Sequence, residues 1–495
     1  MERSSETRAA RLILFFYLFN LSTPWVFPIA STPQKKIPRP PTRPARACDE
    51  VGAKSSFGNS SLLPQLLATP PPRLRKRDLF SFRRFFSPSG SESESVILYP
   101  TFAMRDTENP RKWRVRIHGW IFRPRDIELE SVVAVAGLMR FYKIIPRSTE
   151  HAVFLRRIQN FVFKNRKGAS VMLRCCDLQN IGDGAASKSE CGVALLSSLT
   201  SDKFGHFERE ELVHECELPP TVATIHESRP TGAPLAVSVR TAVPREGSGV
   251  KEGESSGTIF FIPATGWSVV SDIDDTVKVT QVLEREELIQ NTFMREFTAV
   301  PGMQRLFQGW ASEGAAFHYV SSSPWQLQPE IAEFFARCGL PGGSFHLRDF
   351  DIRNRNFFKY MFTKSTKSKP RAIESLLESF PGRSFVLVGD SGEKDPEIYA
   401  ELARKHPDQI KHVFLRRLPG DGRDPRDLEQ LFNFKHAARD QADRCDPWSE
   451  LGGELGGELG GDGGCRLLTV FEDPDRDLVG PSRKLSTLSN NQQPP

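Results

Sequence analysis

Between Gly266 and about residue 420, four short apolar runs ("WSVV", "AFHYV", "SFVLVG" and "KHVFL") are separated by longer stretches with helical periodicity. Among these are "GMQRLFQGWASEG", "LQPEIAEFFARCG", "RAIESLLESF" and "PEIYAELARKH". A strand that is apolar on both faces must be covered on both faces, and a connection this long can carry the chain back to start a parallel neighbour. The pattern predicts an α/β layer, a parallel sheet flanked by helices. In such sheets ligands bind beyond the carboxyl ends of the strands, so the residues that follow each run are where chemistry is expected.

Four polar signatures stand at those positions. "SDIDDTVK" follows "WSVV" and places Asp272, Asp274 and Asp275 within four positions, with Thr276 behind them. "SSSP" begins at Ser321, Lys369 opens the helical stretch "KPRAIESLL", and "GDSGEKD" supplies Asp390 and Asp395. Carboxylates that close repel one another, so they must be serving a cation or a reaction. An ionised Asp272 can attack phosphorus, and Asp274, two residues on, can act as general acid and then general base. A hard octahedral cation such as Mg²⁺ takes carboxylate, carbonyl and water oxygens; Asp272, the Asp274 carbonyl and Asp390 can provide them, with Asp395 completing the shell directly or through a water. Thr276, Ser321 and Lys369 would hold the phosphate oxygens. An EF-hand loop counted from Asp272 fails, because its sixth position is Val277 and its twelfth is Leu283. Each signature alone also suits a turn, a capped helix start or a solvated lysine. Their order, each behind an apolar run, favours function.

The remainder of the chain divides by composition. Residues 1–34 carry Arg3, Arg8 and Arg11 ahead of "LILFFYLFNLSTPWVFPIAS", the form of a secretory signal or anchor, with a mispredicted start or a disordered arm as the alternative reading. Pro24 and Pro28 make this stretch a poor membrane span. Residues 35–95 are rich in Pro, Arg and Ser and read as a disordered linker. Within it, "RPPTRP" suits SH3-domain proteins and "RLRKRDLFSFRRFF" a membrane surface, or both are solvated tether. Period-two alternation in "WRVRIHGWIF" and "PLAVSVRTAV", together with "ASVMLRCC" and "GTIFFIP", predicts a β-sandwich-like domain over 96–266, with helical patterning confined to about 131–160. Residues 267–440 form the α/β segment. Residues 441–495 begin with the Gly-rich repeat "ELGGELGGELGGDGG" and read as low-complexity tail. The eight cysteines have neither CxxC spacing nor a nearby His cluster, which argues against a disulfide framework or a zinc site. A formal charge of +6 biases the surface toward anions; no nucleic-acid partner is expected.

"GWSVVSDIDDTVKVT", "FHYVSSSPWQL" and "FVLVGDSGEKDPEIYAEL" closely resemble the catalytic domain of the fungal actin-patch-associated phosphatidate phosphatases, and the four signatures resemble the motifs of the haloacid dehalogenase superfamily, DxDxT type. The resemblance covers about 258–420, with a weaker likeness at "HGWIF". It implies a Rossmann-like haloacid dehalogenase sheet and a Mg²⁺-dependent phosphatidate phosphatase that releases diacylglycerol. By position it makes Asp272 the nucleophile, Asp274 the acid/base, Ser321 and Lys369 phosphate ligands, and Asp390 with Asp395 the metal side. It also implies a cytoplasmic protein held peripherally at an anionic membrane surface; the apolar stretch at residues 12–30 leaves a secretory or membrane-anchored location open.

Residues 345–369 interleave Phe357, Phe358, Tyr360, Met361 and Phe362 with Arg353, Arg355, Lys359, Lys364 and Lys367. Such a segment suits a bilayer with anionic headgroups, or its aromatics are core and its basic residues a solvated face. Two classes of function follow: a phosphatase acting on phosphatidate or another phosphomonoester, and a catalytically silent scaffold that recruits partners.

Overall fold

The computed structural model describes residues 95–127, 144–145, 148–176, 194–218, 222, 233–244, 250–349, 368–433 and 467–478. The apolar leader, the Pro-rich linker, the Gly-rich repeat and the aromatic-basic stretch 350–367 lie outside them. Among the described residues no helix is long and apolar enough to cross a membrane.

The first sheet contains β1 (Ser95–Leu98), β2 (Thr101–Arg105), β3 (Lys112–Ile127), β4 (Phe163–Asn165), β5 (Ser170–Cys176), β6 (Ala194–Thr200), β7 (His206–His214), β8 (Leu235–Pro244) and β9 (Val250–Ile262). Helix α1 (Thr149–Val162) interrupts the series, capped by Ser148, whose side chain accepts from the His151 N–H. The alternation read from "WRVRIHGWIF" holds: Trp113, Val115 and Ile117 are buried, while Arg114 and Arg116 pair with Glu210 of β7 on the other face. The expected sandwich is one continuous hydrogen-bonded path, β1-β3-β2-β9-β8-β5-β6, with β4 and β7 also paired to β3. Long β3 makes this possible, since successive stretches of it pair with β2, β7, β1 and β4. Its apolar face closes around Trp113, Val171, Leu199, Phe207, Val237 and Phe261.

The second sheet is wholly parallel. It comprises β10 (Gly266–Ser271), β11 (Ala316–Pro324), β12 (Ser344–Arg348), β13 (Arg383–Asp390), β14 (Ile410–Arg416) and β15 (Leu468–Phe471) in the order β12-β11-β10-β13-β14-β15. Between and after them lie α2 (Arg285–Phe293), α3 (Met303–Ser312), α4 (Gln328–Cys338), α5 (Ser368–Ser379), α6 (Asp395–Lys405), α7 (Pro425–Leu431) and the single turn α8 (Pro474–Asp477). Both faces are buried as the apolar runs demand. Val269, Phe317, Val386 and Phe414 pack with α2, α3 and α4, whereas Val270, Ala316, Leu387 and Val413 pack with α5, α6 and the end of α7. Each fully buried Val, Leu or Phe contributes roughly 1.5–3 kcal/mol relative to exposure. Phe102 and Ile262 of the first sheet join the second of these cores, and Tyr99, Trp120 and α1 join the other.

Two strands escaped the sequence reading. "SFHLR", the start of the aromatic-basic stretch, is β12, and its Phe345 is buried core; the aromatics Phe357 to Phe362 lie outside the described residues. "LTVF", inside the segment read as tail, is β15 at the sheet edge, where the Arg417 N–H donates to the Phe471 carbonyl at 2.7 Å. The connection from β9 to β10 is cemented by buried Arg383, whose guanidinium donates to the carbonyls of Pro263, Thr265 and Trp267 and to Ser268 Oγ.

The order of strands places the site. From β10 the chain steps one way to β11 and β12, then crosses to β13 on the other side of β10 and continues outward. The crevice between the carboxyl ends of β10 and β13 is therefore the switch point at which doubly wound sheets bind ligands.

Candidate active site and metal centre

Asp272 leaves the end of β10, its N–H donating to the Val388 carbonyl of β13 at 2.9 Å. Asp390 ends β13 and Asp395 begins α6. All three carboxylates are buried, with one oxygen of each within 4.8 Å of the others. Gly389 permits this closeness, because a Cβ there would stand 2.4 Å from Asp395 Oδ2. Lys369, near the start of α5, donates from Nζ to Asp272 Oδ1 at 2.8 Å and to Asp395 Oδ1 at 2.5 Å. The Asp390 Oδ1 atom accepts the N–H groups of Gly392 and Glu393, at 2.7 and 3.2 Å. Asp390 Oδ2 and Asp395 Oδ2 have no partner among the described residues.

Burial raises the Asp272 and Asp390 carboxyls well above the ordinary range, and neighbouring carboxylates add to it; at Asp272 the Lys369 charge opposes the rise. Lys369 moves up as well: burial disfavours its charge, and Asp272 and Asp395 more than restore it. Three carboxylates facing one ammonium leave an excess of negative charge in a site closed to water. Two orphaned, buried carboxylate oxygens fit a hard cation held by oxygen donors.

Asp274 stands apart from this triad. Its Oδ2 accepts from Ser321 Oγ at 3.0 Å and Ser323 Oγ at 2.8 Å; its Oδ1 accepts from Thr280 Oγ1 at 2.8 Å and Lys278 Nζ at 2.7 Å. Burial would raise its pKa, but the charge and hydrogen bond of Lys278, with Thr280 and Ser323, bring it to about 2. With both carboxylate oxygens engaged, the oxygen Asp274 can lend to a cation is its backbone carbonyl. Thr276 Oγ1 lies behind Asp272, 3.4 Å from Oδ2.

The third carboxylate of "DIDD" has a structural task. Asp275, in the left-handed region with φ 56°, accepts the N–H groups of Thr280, Gln281 and Val282 at 2.8, 2.8 and 2.6 Å. Arg416 Nη1 donates to its carbonyl at 2.7 Å, tying the loop to the end of β14. The structure thus brings Asp272, Asp274, Thr276, Ser321, Lys369, Asp390 and Asp395 to one crevice. Sequence reasoning missed Lys278, Thr280 and Ser323. Lys278 carried a signal, since a lysine four residues after an aspartate in a tight loop can fold back on it.

Residues 267–417 match the sequence pattern of the family described as phosphatidate phosphatase APP1, catalytic domain. Over these residues the chain is similar to that catalytic-domain family. An uncharacterised Schizosaccharomyces pombe protein is 36% identical over 160 residues, covering 32% of this chain and 26% of that protein. Saccharomyces cerevisiae phosphatidate phosphatase APP1 is 29% identical over 197 residues, covering 37% of this chain and 31% of its own length. The chain thus spans less than a third of either relative. A solved Photobacterium 2,6-sialyltransferase covers 59% of this chain and 43% of its own, with 9% identity and a TM-score of 0.17, too distant to bear on the fold. The APP1-type segment begins with β10 and ends just after β14, so it contains every side chain of the crevice described above and excludes α1 and β15.

Proposed function

We propose that residues 267–417 hydrolyse phosphatidate to diacylglycerol and phosphate with Mg²⁺, through an aspartyl-phosphate on Asp272, on a Rossmann-like haloacid dehalogenase fold. One observation carries the reading. The Asp272, Asp390 and Asp395 carboxylates converge at the switch point, two of their oxygens unpartnered and Lys369 reaching between Asp272 and Asp395, inside a segment similar to phosphatidate phosphatases. A bound Mg²⁺ held by Asp272, Asp390, Asp395 and the Asp274 carbonyl would supply the positive charge that lets an anionic nucleophile meet an anionic phosphate.

The protein's own groups do the rest. Asp272 attacks phosphorus as the bond to the glycerol oxygen breaks, while Lys369, Ser321 and Thr276 hold the non-bridging oxygens. Asp274, at about 2, rests ionised and needs a proton before it can serve the leaving oxygen. The incoming phosphate monoester, whose second pKa is about 6, brings that proton. Asp274 passes it to the leaving oxygen, then takes one from the water that splits the aspartyl-phosphate, and Asp272 is regenerated. The proposed setting is an anionic membrane surface, supported by the +6 charge. The Pro-rich arm is proposed as an SH3 ligand on its Arg and Pro spacing.

The test is phosphate release from phosphatidate vesicles by the full chain, in Mg²⁺ and in chelator, beside a soluble monoester and a phosphopeptide. Phosphatidate should be the preferred substrate, chelation should stop turnover reversibly, and Asp272→Asn should abolish it with thermal unfolding unchanged. Preference for the phosphopeptide would overturn the lipid assignment, and parental turnover in Asp272→Asn the nucleophile.

A further inference from the structure

Helix α1 lies outside the family match, more than a hundred residues before Asp274 in sequence, yet it reaches the loop that holds it. Arg157 of α1 is 1% exposed. Its Nη1 donates to the carbonyls of Asn291, Thr292 and Arg295 at 3.4, 3.0 and 2.5 Å, capping the carboxyl end of α2. The guanidinium carbon stands 3.7 Å from the ring centroid of Phe297. Arg156, next to it, donates to Glu296 and Glu330 at 3.0 Å each.

The same Phe297 ring has Lys278 Nζ 4.7 Å from its centroid. Lys278, also 1% exposed, directs that ammonium to Asp274 Oδ1 at 2.7 Å and Thr280 Oγ1 at 2.6 Å. Backbone pairing locks the two segments together: the Val279 N–H donates to the Thr298 carbonyl at 2.8 Å and the Val300 N–H to the Val277 carbonyl at 2.9 Å. A shift of residues 291–297 is thereby passed to 277–279 and to the carboxylate that Lys278 holds.

We infer that Arg157 is a positioning residue for Asp274, acting through Phe297 and Lys278, so that the domain before the family segment completes the active site. The inference rests on the acid/base role of Asp274 given under Proposed function. The Asp274 carboxylate must meet the leaving oxygen along a hydrogen bond, and a misplacement of about 1 Å at such a group costs up to about a hundredfold in rate. Arg157 suits the task because one guanidinium nitrogen meets the carbonyls while the planar group lies over the Phe297 ring, a flat contact that a lysine ammonium does not make. The expected signature is a loss in kcat with KM preserved.

The experiment is steady-state turnover of phosphatidate by the full chain carrying Arg157→Met, Lys278→Met, both together, Arg157→Lys, and Arg157→Met in an Asp274→Asn background. Arg157→Met should lower kcat about 10- to 100-fold with KM within about twofold of the parent. The double variant should match Lys278→Met alone, since both changes misplace one carboxylate. Arg157→Lys should recover part of the loss, and it keeps the test available should Arg157→Met fail to fold. Arg157→Met should cost nothing further once Asp274 is Asn. Multiplicative losses in the double variant, or a parental kcat in folded Arg157→Met, would overturn the inference. Parental turnover in Asp274→Asn would instead refute the acid/base assignment on which it rests.

Discussion

Replacing Asp390 by Asn should make the metal-free protein more stable and the metal-loaded protein inactive. Asp390 Oδ1 keeps its bonds from the Gly392 and Glu393 N–H groups in the variant, because the Asn carbonyl can occupy the same place. The Oδ2 atom is buried without a partner among the described residues, and it lies near two other carboxylates. Leaving such an acceptor unsatisfied costs about 1–3 kcal/mol, and an amide N–H there would face acceptors instead of opposing them. The gain expected in chelator is therefore about 1–3 kcal/mol. The sign with pH follows from the raised Asp390 pKa. Below the unfolded value both states are protonated and the variant gains nothing; as pH rises toward the raised folded value, the native state holds a proton that the unfolded chain has lost, and parental stability falls. The gap should widen with pH. Mg²⁺ should narrow or reverse the gap, raising the parent by about 2.7 kcal/mol at a hundredfold excess over the dissociation constant and leaving the variant unmoved. Thermal unfolding of both proteins, in chelator and in Mg²⁺ at several pH values, reads all of this. A variant less stable than the parent in chelator at pH 8 would refute the reasoning.

Two further changes test the frame around the site. Glu313 follows the carboxyl end of α3, half-buried with Oε2 unpartnered among the described residues, and burial raises its pKa to about 7. Its stabilising proton is fully held below the ordinary value and lost as pH rises through the folded one, so Glu313→Gln should gain about 1 kcal/mol at pH 8 after discounting for partial exposure, and nothing at pH 4; equal shifts in melting temperature at both would count against it. Ending the chain at residue 466 removes β15 and α8, where Phe471 and Leu478 are buried and contribute about 1.5–3 kcal/mol each. The truncated protein should unfold at lower urea, and an unchanged midpoint would show that the sixth strand adds no stability.

The parallel sheet and the places of its candidate site residues were legible because both are local. An apolar run such as "FVLV" must be buried on two faces wherever it goes, and the aspartate directly behind it has to emerge at a strand end. Asp272, Asp390 and Ser321 could be placed by that rule alone, and Lys369 by its position opening a helical stretch. The alternation that buries Trp113 and Val115 and turns Arg114 outward is equally local.

Other features were decided by tertiary structure. "SFHLR" and "LTVF" are too short and too mixed to declare themselves, and become strands because edge positions in a formed sheet offer them backbone partners. Strand order, which sets β13 beside β10 and so brings Asp390 and Asp395 to Asp272, is settled by how helices cover the two faces. The division of labour within "DIDD" is of the same kind: Asp275 turns away to hold three backbone N–H groups, because the loop can close only with one carboxylate inside it. Lys278 and Arg157 owe their places to burial, since a cation closed off from water must find its carboxylate, carbonyls and aromatic face across the fold, and no local period records where those lie.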